Sequence, residues 1–383
     1  MMRQDTDSAT KGQHTPVLVD TPEALAALAS AVMAQPVVAV DTESNSLYAY
    51  REQVCLIQVS IPGVDYLVDP LALDNLQVLV PFFESTEIEK IFHAADYDLI
   101  VLKRDFDFDV RSIFDTMWAA RILGWPNVGL ADILATYFDV EVNKRYQRYD
   151  WGKRPLDPQA LKYAWMDSHY LLALRDMQKA ELKSLGRWNE AQEVFRYLAT
   201  TVELPPEDTQ DRHFWRIKGI QGLRGHDLRL LYQLYLWRER MAERLDRPPM
   251  KVISNRRLMQ LARVQPRSRD ELAAAGLTPG QIRRYGNDIL RTLRSEDLPE
   301  PPRQPRSRRL PEDVIDRYKV LKAWRKEVAR GRGVDSDVIL PNAVLWELAK
   351  HPPEDMHSLL KVPGIGPWRQ EAYGPDLLQL VAD

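Results

Sequence analysis

Two copies of one segment occupy the C-terminal half of the chain, and this duplication strongly constrains the fold. Trp237 and Arg238 recur 87 positions later as Trp324 and Arg325. Other pairs keep this offset until one extra residue near the end of the second copy changes it to 88. The pairs are Asn255 and Asn342, Leu258 and Leu345, Leu261–Ala262 and Leu348–Ala349, Leu272 and Leu359, and Gly286–Leu290 and Gly374–Leu378. Helical periodicity in both copies predicts two small all-α domains rather than a short-period solenoid.

Chain length and proline-rich segments predict how the other residues divide. At roughly 150 residues per domain, a chain of 383 residues favours two or three domains. Strand signals fade after the Pro-Pro-Glu-Asp segment at 205–208, and five prolines with four arginines fall within 298–311. We predict a first domain over 1–205, helical domains over 210–296 and 311–383, and an extended linker over 297–310.

The first domain alternates strand-like and helix-like segments. Predicted strands cover 37–40, 54–60, 66–68 and 91–92, and predicted helices lie near 76–83, 96–104, 115–123, 130–137 and 158–184. Asp157 and Pro158 form a start signal for the last helix. Because three strands precede any long helix and the later strand follows a helix, we predict an α/β fold with a mixed sheet.

Charge is divided unevenly between the two halves. Residues 1–200 carry 19 basic and 29 acidic side chains, whereas residues 201–383 carry 33 and 26. The densest basic stretch, 251–310, has 14 basic and 6 acidic side chains, which is typical of a surface that contacts a polyanion. Its candidates for phosphate contacts are Arg256, Arg257, Arg263, Arg267, Arg269, Arg283 and Arg284. A solvated charged face is the alternative interpretation.

Several classes of protein are excluded by composition. The single cysteine, Cys55, excludes an intramolecular disulfide and a multi-cysteine zinc cluster. No apolar run approaches the roughly 18 residues of a membrane span. Residues 1–14 are polar and lack the apolar core of a signal peptide. We therefore predict a cytoplasmic protein without membrane contact.

Three groups of polar residues could carry chemistry. Asp41 and Glu43 follow the first predicted strand, where residues two apart share a face, so their carboxylates suit a Mg²⁺ or Mn²⁺ site. A solvated turn is the alternative. The second group, His93–Asp98, opens a helix, and either Asp96 or Asp98 could instead cap its N-terminus. The third group pairs Tyr163 with Asp167, one turn apart on a helix.

The order of these groups resembles the DEDD superfamily of 3′→5′ exonucleases, and the tyrosine marks its DEDDy branch. Lys162 stands where the histidine branch would place its histidine. Within the superfamily the sequence is most similar to the ribonuclease D family. Further shared features are Phe92–Ala94, Asp115–Thr116, Lys144, the segment Arg148–Leu156 and the two C-terminal copies, which resemble HRDC domains. The resemblance covers about residues 15–383 and favours Asp98 over Asp96.

This resemblance implies a ribonuclease H-like exonuclease domain followed by two all-α HRDC domains. It implies that four carboxylates hold two Mg²⁺ ions, with Mn²⁺ as a possible substitute, while Tyr163 orients the attacking water. The four are Asp41, Glu43, Asp98 and Asp167. The expected reaction releases nucleoside 5′-monophosphates from single-stranded 3′ ends of tRNA precursors and other small structured RNAs. The protein is expected to act as a monomer.

Residues that could contact the RNA are concentrated before the last motif, where cations and aromatic rings alternate. Such a mixture suits a single strand through phosphate contacts and base stacking, although a charged loop with core aromatics is equally compatible. Tyr146 departs from the small polar residues of similar proteins. The predicted contacts are His93, Lys144, Arg148, Trp151 and Arg154, with a hydrogen-bonded strand end as the alternative role of His93.

Residues 362–366, Val-Pro-Gly-Ile-Gly, resemble a helix-hairpin-helix loop, whose backbone N–H groups can bind phosphate. A structural turn explains this loop equally well, because the first copy also has a glycine-containing loop at 276–280. Two alternative functions stay open at this point. They are a DNA 3′→5′ exonuclease and an RNA-binding protein with an inactive nuclease site.

Overall fold

A six-stranded mixed sheet forms the centre of the N-terminal domain. The computed structural model describes residues 15–204, 210–304 and 310–382. The strands are β1 (Val17–Val19), β2 (Val37–Ser44), β3 (Val54–Ile61), β4 (Val64–Val68), β5 (Glu89–Phe92) and β6 (Ile113–Asp115), in the order β1-β4-β3-β2-β5-β6. The pairs β2–β3 and β3–β4 are antiparallel, and the other pairs are parallel. The predicted mixed sheet is confirmed.

Helices flank the sheet in the N-terminal domain and make up the secondary structure of the described C-terminal half. In the N-terminal domain they are α1 (Pro22–Met33), α2 (Val80–Glu84), α3 (Asp96–Phe106), α4 (Thr116–Leu123), α5 (Leu130–Phe138), α6 (Pro158–His169), α7 (Leu171–Ser184) and α8 (Trp188–Thr200). The following helices are α9 (Gln210–Trp215), α10 (Gly225–Arg244), α11 (Pro249–Val252), α12 (Asn255–Val264), α13 (Arg269–Ala274) and α14 (Pro279–Leu293). The last five are α15 (Glu312–Arg332), α16 (Ser336–Ile339), α17 (Asn342–Lys350), α18 (Met356–Leu359) and α19 (Pro367–Ala382).

Three local predictions differ from the structure. The strand predicted at 37–40 continues to Ser44, so the first acidic motif lies within β2 and not after it. The single helix predicted over 158–184 is two helices that meet at Tyr170: α6 packs on β2, β3 and β4, and α7 packs on β2, β5 and α4. The short strands β1 and β6 were not predicted, since three-residue strands carry almost no periodic signal. The helices α1 and α8 were also missed.

The two C-terminal copies contain the same five helices in the same order, α10–α14 and α15–α19. The repeated Trp-Arg pair serves this packing. Arg238 donates to the Ile253 carbonyl at 3.2 Å, and Arg325 donates to the Leu340 carbonyl at 2.7 Å, 87 positions later in both donor and acceptor. The matched arginines therefore hold the short second helix of each copy.

The described residues fall into two compact units. The first combines 15–44, 54–204 and 310–382, and thus contains the sheet and the second copy. The second combines 45–53 with 210–304 and contains the first copy. The predicted boundary at 205–208, the polar segment 1–14 and residues 305–309 of the predicted linker lie outside the described residues. No helix in the described ranges is long and apolar enough to cross a membrane.

Candidate active site

Four carboxylates from three secondary-structure elements meet beside the central strand of the sheet. Asp41 and Glu43 lie on β2, two residues apart, as the strand period requires. Asp98 lies in the first turn of α3, and Asp167 lies on α6, which packs across β3. The Asp157 side chain caps α6 by accepting from the N–H of Gln159. This cap is the one that the sequence predicted, and it fixes where the helix begins.

The carboxylates form a compact group. Ligand oxygens of Asp41, Glu43 and Asp167 all lie within 4.8 Å of one another. Asp98 stands beside this trio and accepts a 2.5 Å hydrogen bond from the Thr42 hydroxyl. Asp98 is buried, whereas Asp96 is exposed. Of the two candidates in the second motif, the structure brings only Asp98 to the site.

The pKa values of these carboxylates show how strongly the group resists full ionisation. Burial raises the pKa of Asp41 well above its ordinary value, and the charge of Asp167 raises it further. Burial and the neighbouring carboxylates likewise raise the pKa of Glu43. Burial, followed by Asp41, raises that of Asp98. For Asp167, burial raises the pKa to about 7 despite the hydrogen bond from Tyr163. A bound cation would relieve both the desolvation and the mutual repulsion.

Tyr163 stands one helical turn from Asp167 and donates its hydroxyl hydrogen to that carboxylate. Its ring is buried in a small aromatic cluster, with centroids 6.4 Å from Trp151 and 5.9 Å from Tyr146. Burial, together with the charge of Asp167, raises the pKa of the phenol well above its ordinary value. The hydroxyl therefore stays protonated at neutral pH and acts as a hydrogen-bonding group.

An open pocket of about 250 Å³ gives access to this group. It is lined by Asp41, Thr42, Glu43, His93, Leu130, Gln147, Tyr163 and Asp167. Sequence reasoning missed Leu130 and Gln147 as lining residues. Neither belongs to an acidic motif, and only the tertiary fold places α5 and the 3₁₀ turn at 144–148 beside β2.

His93 lies at the wall of the pocket as a hydrogen-bonded strand-end residue. Its Nδ1 lies 2.9 Å from the Thr116 hydroxyl, which in turn donates to the Phe92 carbonyl. Burial lowers the pKa of the imidazole to about 4, so the ring is neutral at pH 7. The ring also forms a hydrogen bond with the backbone of Val128, so it is held within the protein and contributes no charge for a phosphate.

Arg154, which the sequence predicts as an RNA contact, has a different role in the structure. Its Nε and Nη2 bind the Asp69 carboxylate at 2.6 Å each. Its other N–H groups donate to the carbonyls of Cys55, Trp151 and Lys153 at 2.7–2.9 Å. All five guanidinium donors are therefore used within the protein. Arg154 holds the loop that precedes α6 against the sheet, and it is not an available phosphate ligand in this conformation.

Trp151 also differs from its prediction as a stacking platform. Only 1% of its surface is exposed, and its ring packs against Tyr149 and Tyr163 inside the protein. A base cannot stack on a ring that is covered on this scale. Of the other predicted contacts, Arg148 is exposed beside the pocket residue Gln147. Lys144 opens the same 3₁₀ turn, and its side chain lies outside the described part of the structure.

The donor set fits a divalent cation. Carboxylate oxygens are the ligands that Mg²⁺ and Mn²⁺ take in proteins. One oxygen from each of three carboxylates already lies close enough to the other two to bind the same ion. Their raised pKa values indicate a site that lacks positive charge and not one that is balanced by protein cations. The residues present therefore match a centre that binds a metal through oxygen.

Comparison with known families assigns both parts of the chain. Residues 16–183 match the family described as 3′-5′ exonuclease, and residues 227–293 and 315–381 each match the HRDC domain. The first match covers the sheet and the carboxylate group, and the other two cover the repeated helical segments. Fold and site together define a hydrolase of the 3′→5′ exonuclease class, of a family that depends on divalent metals.

Individual relatives narrow this class. Ribonuclease D of Haemophilus influenzae is 31% identical over 288 residues, which are 73% of this chain and 70% of that protein. The crystal structure of Escherichia coli RNase D, described as an exoribonuclease involved in structured RNA processing, has a TM-score of 0.64 and 26% identity. The structural match covers 96% of this chain and 99% of the Escherichia coli chain. The chain belongs to the ribonuclease D family.

Eukaryotic relatives are longer. Protein RRP6-like 3 of Arabidopsis thaliana is 33% identical over 279 residues, 67% of this chain, but the match spans only 31% of that relative's own length. The present chain is therefore similar to only one part of the Arabidopsis protein.

Proposed function

We propose that this protein removes nucleotides one at a time from the 3′ ends of tRNA precursors and other small structured RNAs. The observation that carries the proposal is the group of three carboxylates within 4.8 Å, with Asp98 and Tyr163 beside it. Two Mg²⁺ ions, or Mn²⁺ in their place, would be held by Asp41, Glu43, Asp98 and Asp167. Bound there, the ions would supply Lewis-acid activation for in-line hydrolysis of the terminal phosphodiester.

Each site residue then has a defined task. The carboxylates would hold the cations, and the 2.5 Å hydrogen bond from the Thr42 hydroxyl fixes the orientation of the Asp98 carboxylate. Tyr163 stays protonated, because burial keeps its pKa high, so its hydroxyl orients the attacking water and does not remove the proton. The product expected from this arrangement is a nucleoside 5′-monophosphate.

Replacing Tyr163 by Phe is expected to lower kcat by about 10²-fold while changing KM and metal affinity little. The substitution removes only the hydroxyl that faces Asp167 and keeps the buried ring. Tyr137→Phe is the matched control, because Tyr137 lies half-exposed on α5, stacked on Trp125. Single-turnover kinetics on a labelled RNA would measure both variants. A Tyr163→Phe enzyme with full kcat would remove this role.

The main RNA-binding surface is proposed to lie on the first HRDC domain. Of its seven candidate arginines, six are exposed, while Arg257 is half-buried against Gly276. The second HRDC domain is less basic, since residues 311–383 contain 10 basic and 12 acidic side chains. Phosphate contacts from exposed arginines would make RNA affinity fall steeply with salt concentration.

Deleting 210–296 is expected to weaken RNA binding more than deleting 311–383 does. The reason is the concentration of exposed arginines in the first HRDC domain. Electrophoretic mobility shifts with a 3′-tailed tRNA, measured at two salt concentrations, would rank the two deletions. Circular dichroism and thermal melting would establish whether each deletion remains folded at the temperature of the binding assay, since affinities are comparable only between folded proteins. Equal losses of RNA affinity in the two deletion variants would contradict the assignment of the main RNA-binding surface to the first HRDC domain.

The experiment that separates the proposed function from its alternatives compares matched RNA and DNA strands. We expect rapid release of mononucleotides from RNA and slower release from DNA. Faster release from DNA would favour a DNA 3′→5′ exonuclease. Inactivity on several RNAs with both Mg²⁺ and Mn²⁺ would favour an RNA-binding protein with an inactive site, although all four carboxylates are present. The cytoplasmic location and the monomeric state stay predictions.

A further inference from the structure

The second HRDC domain belongs to the same compact unit as the exonuclease domain, and buried ion pairs join them. Arg332 on α15 binds the Glu190 carboxylate of α8 through two bonds of 2.6 and 2.8 Å, and Glu190 is completely buried. Arg121 on α4 binds Asp335 and Asp337. The Arg332–Glu190 pair requires fixed geometry, because the buried Glu190 carboxylate would carry a large desolvation penalty without its partner, whereas Asp335 and Asp337 are largely exposed.

A second carboxylate of α8 enters the loop that resembles a phosphate-binding hairpin. We call residues 362–369 the anion loop. Glu193 accepts from the backbone N–H groups of Gly366 and Trp368, at 2.9 Å each, and from that of Arg369 at 3.4 Å. Its Oε1 also lies 3.6 Å from the Arg369 guanidinium, which is 1% exposed. These are the backbone donors that a phosphate would use in such a loop.

The glycines of the anion loop fit this carboxylate closely. A Cβ built on Gly366 would lie 2.3 Å from Glu193 Oε2. A Cβ on Gly364, whose φ is +90°, would lie 2.5 Å from Val344 and 3.0 Å from the ring of Tyr197 on α8. The approach of α8 thus requires glycine at position 366, whereas Gly364 is required mainly by its positive φ, as is Gly276 (φ +86°) at the matching position of the first copy.

In the first HRDC domain the equivalent helix is capped by side chains of the domain itself. Its helix α14 begins at Pro279, as α19 begins at Pro367, and Thr278 caps it by accepting from the N–H of Gln281. Gln281 completes a capping box by accepting from the N–H of Thr278. In the second copy Gly366 stands at the position of Thr278, and it has no side chain to form a cap. Glu193 supplies the missing acceptor.

We propose that the anion loop is a docking site for Glu193, and that this contact makes the second HRDC domain a structural brace of the exonuclease domain. The carboxylate occupies the place of a phosphate, so this loop does not bind RNA. The occupant is a segment of the same chain, and the inference does not depend on the nuclease activity.

The proposal predicts that substitutions at Glu193 and Gly366 are not additive in the full-length protein. Glu193→Ala removes the acceptor of three N–H groups and the partner of a buried guanidinium, so its melting temperature is expected to fall by about 5–10 °C. Gly366→Ala should also lower it, because the new Cβ displaces Glu193. In the Glu193→Ala background the same methyl group has room and should cost nothing further. Glu193→Gln, which keeps one acceptor, should show an intermediate shift and provides a well-folded second variant.

Measurements of RNA binding distinguish an anion loop that only holds Glu193 from one that contacts RNA. Using a labelled single-stranded RNA, we expect every stable variant to bind within about twofold of the wild type. Gly331→Ala on α15 of the second HRDC domain is the control, because its Cβ would meet open space. Additive shifts in melting temperature, or an unchanged melting temperature in Glu193→Ala, would overturn the proposal. So would a several-fold loss of RNA affinity in Gly366→Ala, which would identify the loop as an RNA contact.

Discussion

Replacing Asp98 by Asn is expected to lower the rate of mononucleotide release by about 10³-fold or more while the protein remains folded. Asn keeps the size of the side chain and its bond to Thr42 but removes the negative charge that would hold a cation. Stability should be retained or increased without metal, because the charged form of Asp98 is disfavoured by burial and by Asp41.

Asp96→Asn is the matched control for this experiment. Asp96 belongs to the same helical turn, two residues away, but it is exposed and takes no part in the carboxylate group. Initial rates on a labelled RNA, measured together with RNA affinity and melting temperature, should separate the two variants. A fully active Asp98→Asn enzyme would reject the proposed role of Asp98, and an inactive Asp96→Asn enzyme would transfer that role to Asp96.

Removal of divalent metal is expected to abolish activity completely, and Mg²⁺ or Mn²⁺ should restore it. The four carboxylates repel one another, and among the described side chains that line the pocket there is no Lys or Arg that could replace a metal ion. Metal that binds the folded state should also raise its stability, by about 2.7 kcal/mol at a concentration of 100 times Kd.

The same site predicts how stability without metal depends on pH. The pKa values of Asp41, Glu43, Asp98 and Asp167 are raised on folding, so the folded state binds more protons than the unfolded state. The contribution of these groups is present at low pH and is lost as the pH rises from about 4, near the unfolded value, through about 7, the pKa of Asp167. Each group contributes at most about 1.4 kcal/mol per pH unit.

Thermal melting in EDTA and in Mg²⁺ across this pH range would measure the effect. We expect the stabilisation by Mg²⁺ to grow with pH, because the carboxylates must ionise to bind the ion. The Asp98→Asn variant should show a shallower dependence. Stabilisation by Mg²⁺ that is independent of pH would indicate binding elsewhere on the protein.

The sequence was most informative where chemistry or periodicity is local. Residues two apart on a strand share a face, which was enough to place Asp41 with Glu43, and the Asp157–Pro158 start signal was enough to place α6. The repeat offset of 87 residues predicted two helical domains, which the structure and the family matches confirm. The mixed sheet was likewise predictable from the order of its strands.

Features that depend on distant partners could not be predicted. Arg154 reads as a loop cation, and only the fold brings Asp69 and the Cys55 carbonyl to its guanidinium. Trp151 reads as a possible stacking residue until its burial is known. Glu193 carries no sequence signal at all, because its acceptor role arises 173 residues later, where Gly366 lacks a cap. Burial and long-range hydrogen bonds decide such roles, and neither has a short-range pattern.

The nature of the released product tests the central claim most directly. A time course on a tRNA with a short 3′ tail, labelled once at its 5′ end and once at its 3′ end, would be followed with Mg²⁺ and with EDTA. We predict that Mg²⁺ supports stepwise shortening from the 3′ end, that the sole small product is a nucleoside 5′-monophosphate, and that EDTA stops the reaction. Internal fragments, products that carry a 3′-phosphate, or undiminished shortening in EDTA would contradict hydrolysis by a metal site at these four carboxylates.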